Sequence, residues 1–421
     1  MPWKETCAMD QRAKFIFEVQ QAKLSKAELC RRYRISRPTG DKWLRRHAQG
    51  GLPALADLSR GRHHHPNEVR QELAEMIVSL RRRHMTWGPK KLRVLLQERY
   101  PRMVWPACST IGEILRRAGL TVGRKPRRRT PPYTQPFAAC GAPNDLWCAD
   151  FKGWFRTGDG QRCDPLTITD SHSRKLLRTV GLTETKFGVV KPIFEAAFRE
   201  FGLPWAMRTD NGPPFASRGI GGLSRLSVWW LRLGIQPERI APGKPQQNGR
   251  HERMHRTLKA ETANPPAKDL RRQQQRFDAF VQEFNHVRPH EALGQNKPGL
   301  VYTPSPREYR EPAEVWYPDE MEVRSVKGNG VIHWRGDCVF LGEALGRQRV
   351  GLAEVADGCW VVYFCRQALG VVDQQRRKVY DVAVALRKGL ISESAIRRPF
   401  RYAPGTPDGS ETCKPCTRIK T

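Results

Sequence analysis

Apolar residues return at helical intervals through the first 120 positions. Phe15, Val19 and Ala22 line one face of a first short helix. Ser25 is placed to cap a second, Lys26 to Tyr33, whose inner face is Leu29, Cys30 and Tyr33. Arg34 to Pro38 turns the chain, and a third helix runs through Trp43 and Leu44 to His47, with Gly40 lowering its propensity. A second helical set begins with Val69, Leu73, Met76, Ile77 and Leu80. It restarts at Trp87-Gly-Pro89 through Leu92, Leu95 and Leu96. It ends with a capping-box pattern, Thr110-x-x-Glu113, before Ile114, Leu115 and a stop at Gly119.

From Asn144 the period shortens. Leu146–Phe155, Pro165–Thr169 and Leu176–Leu182 read as neighbouring strands, with Gly158-Asp-Gly160 as a turn. Phe187 to Phe201 reads as a helix with Val190, Ile193, Phe194, Ala197 and Phe198 on one face. A fourth strand then ends near Asp210. A helix around Trp229-Trp230 precedes a fifth strand at Ile235 and another helix from about Arg250. Beyond Pro306 short strands dominate: Glu322–Val326, Val331–Trp334, Cys338–Leu341, Arg349–Leu352, Trp360–Phe364 and Leu369–Val372. Asn329-Gly330 is a hairpin signal, and together these suggest a small β-barrel.

The pattern divides the chain into a helix-turn-helix at 1–50, a linker at 51–66 and a second helix-turn-helix at 67–121. A basic Pro-rich linker at 122–143 leads into an α/β core with a mixed sheet and outer helices at 144–305. A β-rich domain at 306–387 and a disordered basic tail at 388–421 complete it.

Charge sharpens this picture. The 421 residues carry 74 Lys/Arg against 42 Asp/Glu, a net +32. Up to Pro143 there are 30 Lys/Arg and 11 Asp/Glu, so the excess is concentrated at the front. Such asymmetry points to a polyanion, most simply DNA. Arg37, Lys42, Arg45 and Arg46 surround the third helix, as on a DNA-reading element; the plain alternative is a small helical bundle. Arg124, Lys125, Arg127, Arg128 and Arg129 form an arm suited to a minor groove or a phosphate backbone, or an uncommitted linker.

No run approaches the ~20 apolar residues of a membrane span, and Lys4, Glu5, Asp10, Arg12 and Lys14 interrupt any secretory signal. A cytoplasmic, nucleoid-associated protein with reduced thiols is therefore expected. Cys413-Lys-Pro-Cys416 and His63-His64-His65 have no partner pair nearby and read as tail and loop rather than zinc sites.

Three acids stand out. Glu252 lies in the first turn of a helix in the basic stretch Lys244-Pro-Gln-Gln-Asn-Gly-Arg-His-Glu-Arg-Met-His-Arg-Thr-Leu-Lys259. Arg253, Arg256 and Lys259 follow it at helical spacing as candidate phosphate contacts. Asp210 ends a strand in Arg-Thr-Asp-Asn-Gly-Pro-Pro, and Asp150 lies within Leu-Trp-Cys-Ala-Asp-Phe-Lys152. Two strands and a helix each presenting a carboxylate are the parts of a hard-cation site. The neighbouring acids Asp145, Asp159 and Asp164 read more simply as turn or cap residues. Trp229 and Trp230 read as core, and His251 and His255 as groups that stack or touch phosphate rather than ligate.

The triplet, with Thr-Asp-Asn-Gly around Asp210 and Pro-Gln-Gln-Asn-Gly-x-x-Glu before Glu252, resembles the retroviral-integrase-type core of bacterial insertion-sequence DDE transposases. Asn285-His-x-x-Arg-Pro-His-Glu-Ala-Leu293 is similar to that family's closing signature. The likeness covers about 145–305; the longer segment Gly219–Gly234 resembles one insertion-sequence subgroup. The resemblance implies an RNase H-like fold followed by an SH3-like accessory domain, and it makes Asp170 part of a structural turn. It implies Mg²⁺, with Mn²⁺ as substitute, held by Asp150, Asp210 and Glu252. It also implies cleavage and joining of element ends to target DNA by a dimer or larger assembly. A DNA-binding regulator with an idle core, and a metal nuclease without strand transfer, remain open at this stage.

Overall fold

A computed structural model describes residues 7–58, 68–121, 140–217, 219–240 and 249–397. The chain divides into two compact units, one up to Arg70 and one from Gln71. No helix among the described residues is long and apolar enough to cross a membrane.

The first unit is three helices, α1 (Ala8–Gln20), α2 (Lys26–Arg32) and α3 (Arg37–Gly50). Ser25 caps α2 reciprocally with Glu28, and Ser36 caps α3 ahead of Pro38, so both starts follow from local side chains. Phe15, Ile16, Leu29, Cys30 and Trp43 form the core. Gly40 faces it, where a β-carbon would stand 2.8 Å from Cys30 Sγ and 3.1 Å from Phe15 Cζ. The glycine that weakens the helix on propensity is what lets α3 close on its neighbours. Ala22, expected on the inner face of α1, lies beyond its end, exposed and at φ +51°. Leu52–Leu55 forms a 3₁₀ turn that buries Leu55 in the same core, so packing continues past Gly50. His63–His65 lie outside the described residues.

The second unit opens with α4 (Gln71–Arg83), α5 (Pro89–Arg99) and α6 (Cys108–Arg117) around Ile77, Leu80, Trp87, Leu92, Leu95, Trp105, Ile111 and Leu115. The expected capping box fails: α6 begins at Cys108, so Thr110 is already helical. The Glu113 carboxylate instead takes Arg116 and Arg117 one turn on. The basic arm, Arg124 to Arg129, lies outside the described residues.

The central sheet has strands β1 (Leu146–Phe151), β2 (Phe155–Arg156), β3 (Arg162–Asp170), β4 (Leu176–Leu182), β5 (Ala206–Thr209) and β6 (Gln236–Arg239). Its order is β4–β3–β1–β5–β6, with β2 pairing to the start of β3. The β4–β3–β1 pairs are antiparallel and the β1–β5–β6 pairs parallel, the mixed sheet of an RNase H-like fold. The strand expected over Leu146–Phe155 is two pieces, because Gly153 at φ +84° breaks the extended run.

One face packs on α7 (Phe187–Phe201) and α8 (Arg225–Arg232) through Trp147, Leu166, Ile168, Phe194, Phe198 and Trp230. The other meets α9 (Gly249–Thr262) and α10 (Leu270–His286) through Leu176, Met254, Leu258, Phe277 and Phe284. Lys297 of the following α11 (Pro298–Val301) stretch binds Glu98 of α5 at 2.7 Å, and His84 meets Glu283 at 2.9 Å. These contacts dock the α4–α6 module on the core.

The C-terminal region refines the expected barrel. Strands β7 (Glu322–Ser325), β10 (Arg349–Ala356), β11 (Cys359–Phe364), β12 (Gln367–Asp373) and β13 (Lys378–Asp381) form one antiparallel sheet, while β8 (Val331–Trp334) and β9 (Asp337–Phe340) make a separate ribbon. The Asn329-Gly330 turn exists, but β7 before it pairs with β10 rather than with β8 after it. The disordered tail expected from Lys388 is corrected for residues 388–397, which are ordered into the fold. After α12 (Val382–Arg387), Ile391 is buried and α13 (Glu393–Arg397) receives a hydrogen bond from the Tyr363 hydroxyl at the Ile396 carbonyl. Cys413 and Cys416 lie outside the described residues. Gly219–Gly234 joins the two parts: Leu226, Trp229 and Trp230 enter the central core, and Leu223, Val228 and Leu231 enter the C-terminal one.

Candidate active site

Alternation along β1 decides which way Asp150 faces. Ala149 is fully buried toward α7, so Asp150 points to the opposite face, where α9 crosses. Its Cα partner on β3 is Thr167. Asp210 follows directly on β5, and its Oδ1 accepts the Gly212 amide at 3.2 Å. Glu252 is exposed in the first turn of α9.

Asp150 feels both of the other acids. Burial pushes the Asp150 carboxyl up to about 7, and the charges of Asp210 and Glu252 add to that rise. Burial also raises Asp210, against the lowering effect of the Gly212 amide. A partly buried carboxyl beside two more acids is poorly served by protonation alone and well served by a divalent cation. An all-oxygen donor set of this kind suits a hard cation such as Mg²⁺.

Beside them lies an open cleft of about 380 Å³ lined by Lys152, Glu252, His255, Arg256, Lys259 and Asn264. Arg253, Arg256 and Lys259 are exposed along α9. Lys152 was not singled out by sequence reasoning, although it sits two residues beyond Asp150.

The two histidines depart from expectation. His251 is 2% and His255 5% exposed, so neither is open to a base or a phosphate. Burial lowers His251 to about 3 and His255 to about 2, so both imidazoles are neutral near pH 7. Asp150, His251 and His255 bring donor atoms within 4.8 Å of one another, with His255 Nδ1 3.8 Å from Asp150 Oδ2. Both His251 nitrogens already meet hydroxyls, however: Nε2 at Thr167 and Nδ1 at Thr169.

The remaining acids are structural. Asp170 accepts the amides of Asn144 and Ser173, Asp145 those of Gly141 and Ala142, and Asp159 that of Gln161. Asp164 is not a turn residue: it is buried within β3 and held by Arg162 at 2.6 Å. In the first unit Arg37, Lys42 and Arg45 are exposed on α3, while Arg46 lies against Trp43.

Comparison with known proteins agrees with this architecture. Two Integrase core domain family models match residues 141–245 and 233–298. Homeodomain-like domain models match 8–56 and 39–115, and the IS481 family transposase C-terminal domain matches 321–380. The Insertion element IS476 uncharacterized 39.2 kDa protein of Xanthomonas euvesicatoria is 29% identical over 252 residues, 58% of this chain and 69% of that one. The Insertion element IS407 uncharacterized 31.7 kDa protein of Burkholderia multivorans is 28% identical over 249 residues, 58% of this chain and 86% of its own. The Gag-Pol polyprotein of baboon endogenous virus is 42% identical over 76 residues, 18% of this chain and 4% of that polyprotein. Helix-turn-helix-type helices ahead of an integrase core, an insertion-sequence C-terminal domain behind it and relatives among insertion-element proteins together support an insertion-sequence transposase with an integrase-type core.

Proposed function

We propose that Asp150, Asp210 and Glu252 are the catalytic acids of a DNA strand-cleavage and strand-transfer centre, and that together they hold Mg²⁺ or Mn²⁺. The observation that carries this reading is the Asp150 carboxyl, whose ionisation is opposed by burial and by both other acids. When bound, the cations supply charge neutralisation at the reacting phosphate and a more acidic nucleophile.

The chain's own residues do the rest. The Gly212 amide fixes the Asp210 carboxylate. Lys152, Arg256 and Lys259 line the cleft as cations for the phosphates on either side of the reacting one. In nicking, a water oxygen forms a bond to phosphorus, the bond to the 3′ oxygen breaks, and the element end keeps a 3′-hydroxyl. In joining, that 3′ oxygen bonds to a target phosphorus and the target's own 3′ oxygen leaves. In each step one P–O bond forms as one P–O3′ bond breaks, the proton lost by the attacking hydroxyl or water being matched by the one the leaving 3′ oxygen gains, so a single set of acids serves both.

Exposed Arg37, Lys42 and Arg45, together with Arg46 and the basic arm, are assigned to the element ends. Two ends joined in concert call for a homodimer or larger assembly on DNA, which places the protein with the bacterial nucleoid.

The test incubates the protein with terminal DNA and Mg²⁺ or Mn²⁺ beside Asp210→Asn. Metal-dependent nicks and joined products, both lost in the variant while DNA binding persists, are expected. Binding without cleavage by the unaltered chain would overturn the reading.

A further inference from the structure

The Glu252 helix is fastened to the Asp150 strand by more than apolar contact. Thr167, fully buried and directly opposite Asp150 on β3, has its Oγ1 3.1 Å from the Asp150 carbonyl. The same oxygen lies 2.6 Å from His251 Nε2 and 2.7 Å from His255 Nε2. A hydroxyl has one proton and two lone pairs, and these three contacts use them all. Thr169, two residues along the same face, meets His251 Nδ1 at 3.0 Å.

This cluster needs an explanation. Two imidazoles buried against a sheet cost desolvation that apolar residues of similar size would avoid. Met254 and Leu258 already supply the apolar contact between α9 and α10. Apolar packing is non-directional and leaves a helix free to slip or roll slightly. Hydrogen bonds from residues four apart, to one hydroxyl, fix both the roll and the height of α9 over β3. Glu252 lies between those two residues in sequence, so its direction toward the cleft is set by the same bonds.

We propose that Thr167, His251 and His255 are positioning residues, a hydroxyl–imidazole lock that sets Glu252 against Asp150 for cation binding. The inference rests on the assignment of Asp150, Asp210 and Glu252 made above. Groups that orient metal ligands without touching the metal change affinity by about 10- to 100-fold when removed.

The experiment measures Mn²⁺ affinity of the full-length protein by the loss of the free-ion electron paramagnetic resonance signal, beside terminal-DNA binding and strand cleavage. Thr167→Val keeps the shape and removes the hydroxyl; Thr167→Ser restores it. Thr167→Val is expected to weaken Mn²⁺ about tenfold and raise the Mn²⁺ needed for half-maximal cleavage in parallel, with DNA affinity unchanged. Thr167→Ser is expected to stay within about twofold of the parent on the same scale. Unchanged Mn²⁺ affinity in Thr167→Val overturns the lock, as does equal weakening in Thr167→Ser. Should Thr167→Val not fold, His255→Leu removes one imidazole of the lock while keeping an apolar side chain there, and unchanged affinity in it overturns the proposal equally. Asp210→Asn separates the two levels: if it keeps full Mn²⁺ affinity, the carboxylate assignment itself has failed. If Asp210→Asn loses affinity and Thr167→Val does not, only the lock has failed.

Discussion

Asp150 and Asp210 stand abreast on neighbouring parallel strands. The β1–β5 register pairs Cys148 with Arg208, and two further residues on each strand reach the two acids. Fifty-nine residues lie between them in the chain, and the crossover through α7 into β5 brings them to the same end of two central strands.

Side-by-side carboxylates destabilise a metal-free protein. Asp210→Asn removes one of the charges that holds the Asp150 carboxyl high. Its stability in chelator is expected to rise by on the order of 1 kcal/mol, while the stabilisation gained from Mn²⁺ shrinks. Urea unfolding with and without Mn²⁺ measures both, and a variant less stable than the parent in chelator would contradict the repulsion.

Acid should destabilise the fold steeply below neutrality. His251, His255 and His290 are held at about 3, 2 and 3, chiefly by burial, against 6.5 when free. Their folded values are depressed, so between pH 6.5 and about 3 the unfolded chain binds three more protons there and stability falls with pH. Asp150 acts oppositely: raised to about 7, it takes up one proton on folding across pH 4 to 7. Asp210, also raised, offsets in the same sense, so the net is at most two protons, a loss of up to about 2 to 3 kcal/mol per pH unit near pH 5. Unfolding midpoints at pH 7, 6 and 5 in chelator test the slope, and a flat profile would refute buried neutral imidazoles.

Gly40→Ala in α3 is the reverse of an ordinary helix-stabilising change. Its methyl would meet Cys30 Sγ and Phe15, so a loss of about 1 to 3 kcal/mol is expected in place of a gain. Calorimetry of the full chain reads the effect as a lower first transition.

Arg37 and Arg45 are exposed on α3 and make separable contributions to DNA binding under the reading above. Each alanine variant is expected to weaken binding of terminal DNA. A phosphate contact would lower the salt slope by about one, whereas a base contact would relax sequence preference at a cost of about 1 to 3 kcal/mol. Titrations at several salt concentrations, on matched and scrambled ends, separate these outcomes. No change in either would remove the residue from the interface.

Much of this was local enough to be written in the sequence. Ser25 and Ser36 cap their helices wherever the chain goes, the period of two in Pro165–Thr169 makes a strand, and the excess of positive charge names a polyanion. Asp150, Asp210 and Glu252 were legible as candidates because each sits in its own short, distinctive motif. What failed were readings that depend on competition or on distant neighbours. Glu113 chose two arginines over the Thr110 amide, the strands beside Asn329-Gly330 parted into different sheets, and the tail beyond Lys388 found an apolar surface for Ile391. His251 and His255 looked like groups for DNA because their surroundings in sequence are basic. Tertiary structure turned them inward onto Thr167, since burial and hydrogen-bond partners are set by what packs opposite, 84 and 88 residues away. The sequence by itself determined which side chains are the candidates for the chemistry. Only the fold decided which face Asp150 takes and what His251 and His255 meet, because those relations belong to strand register and helix packing rather than to any one segment.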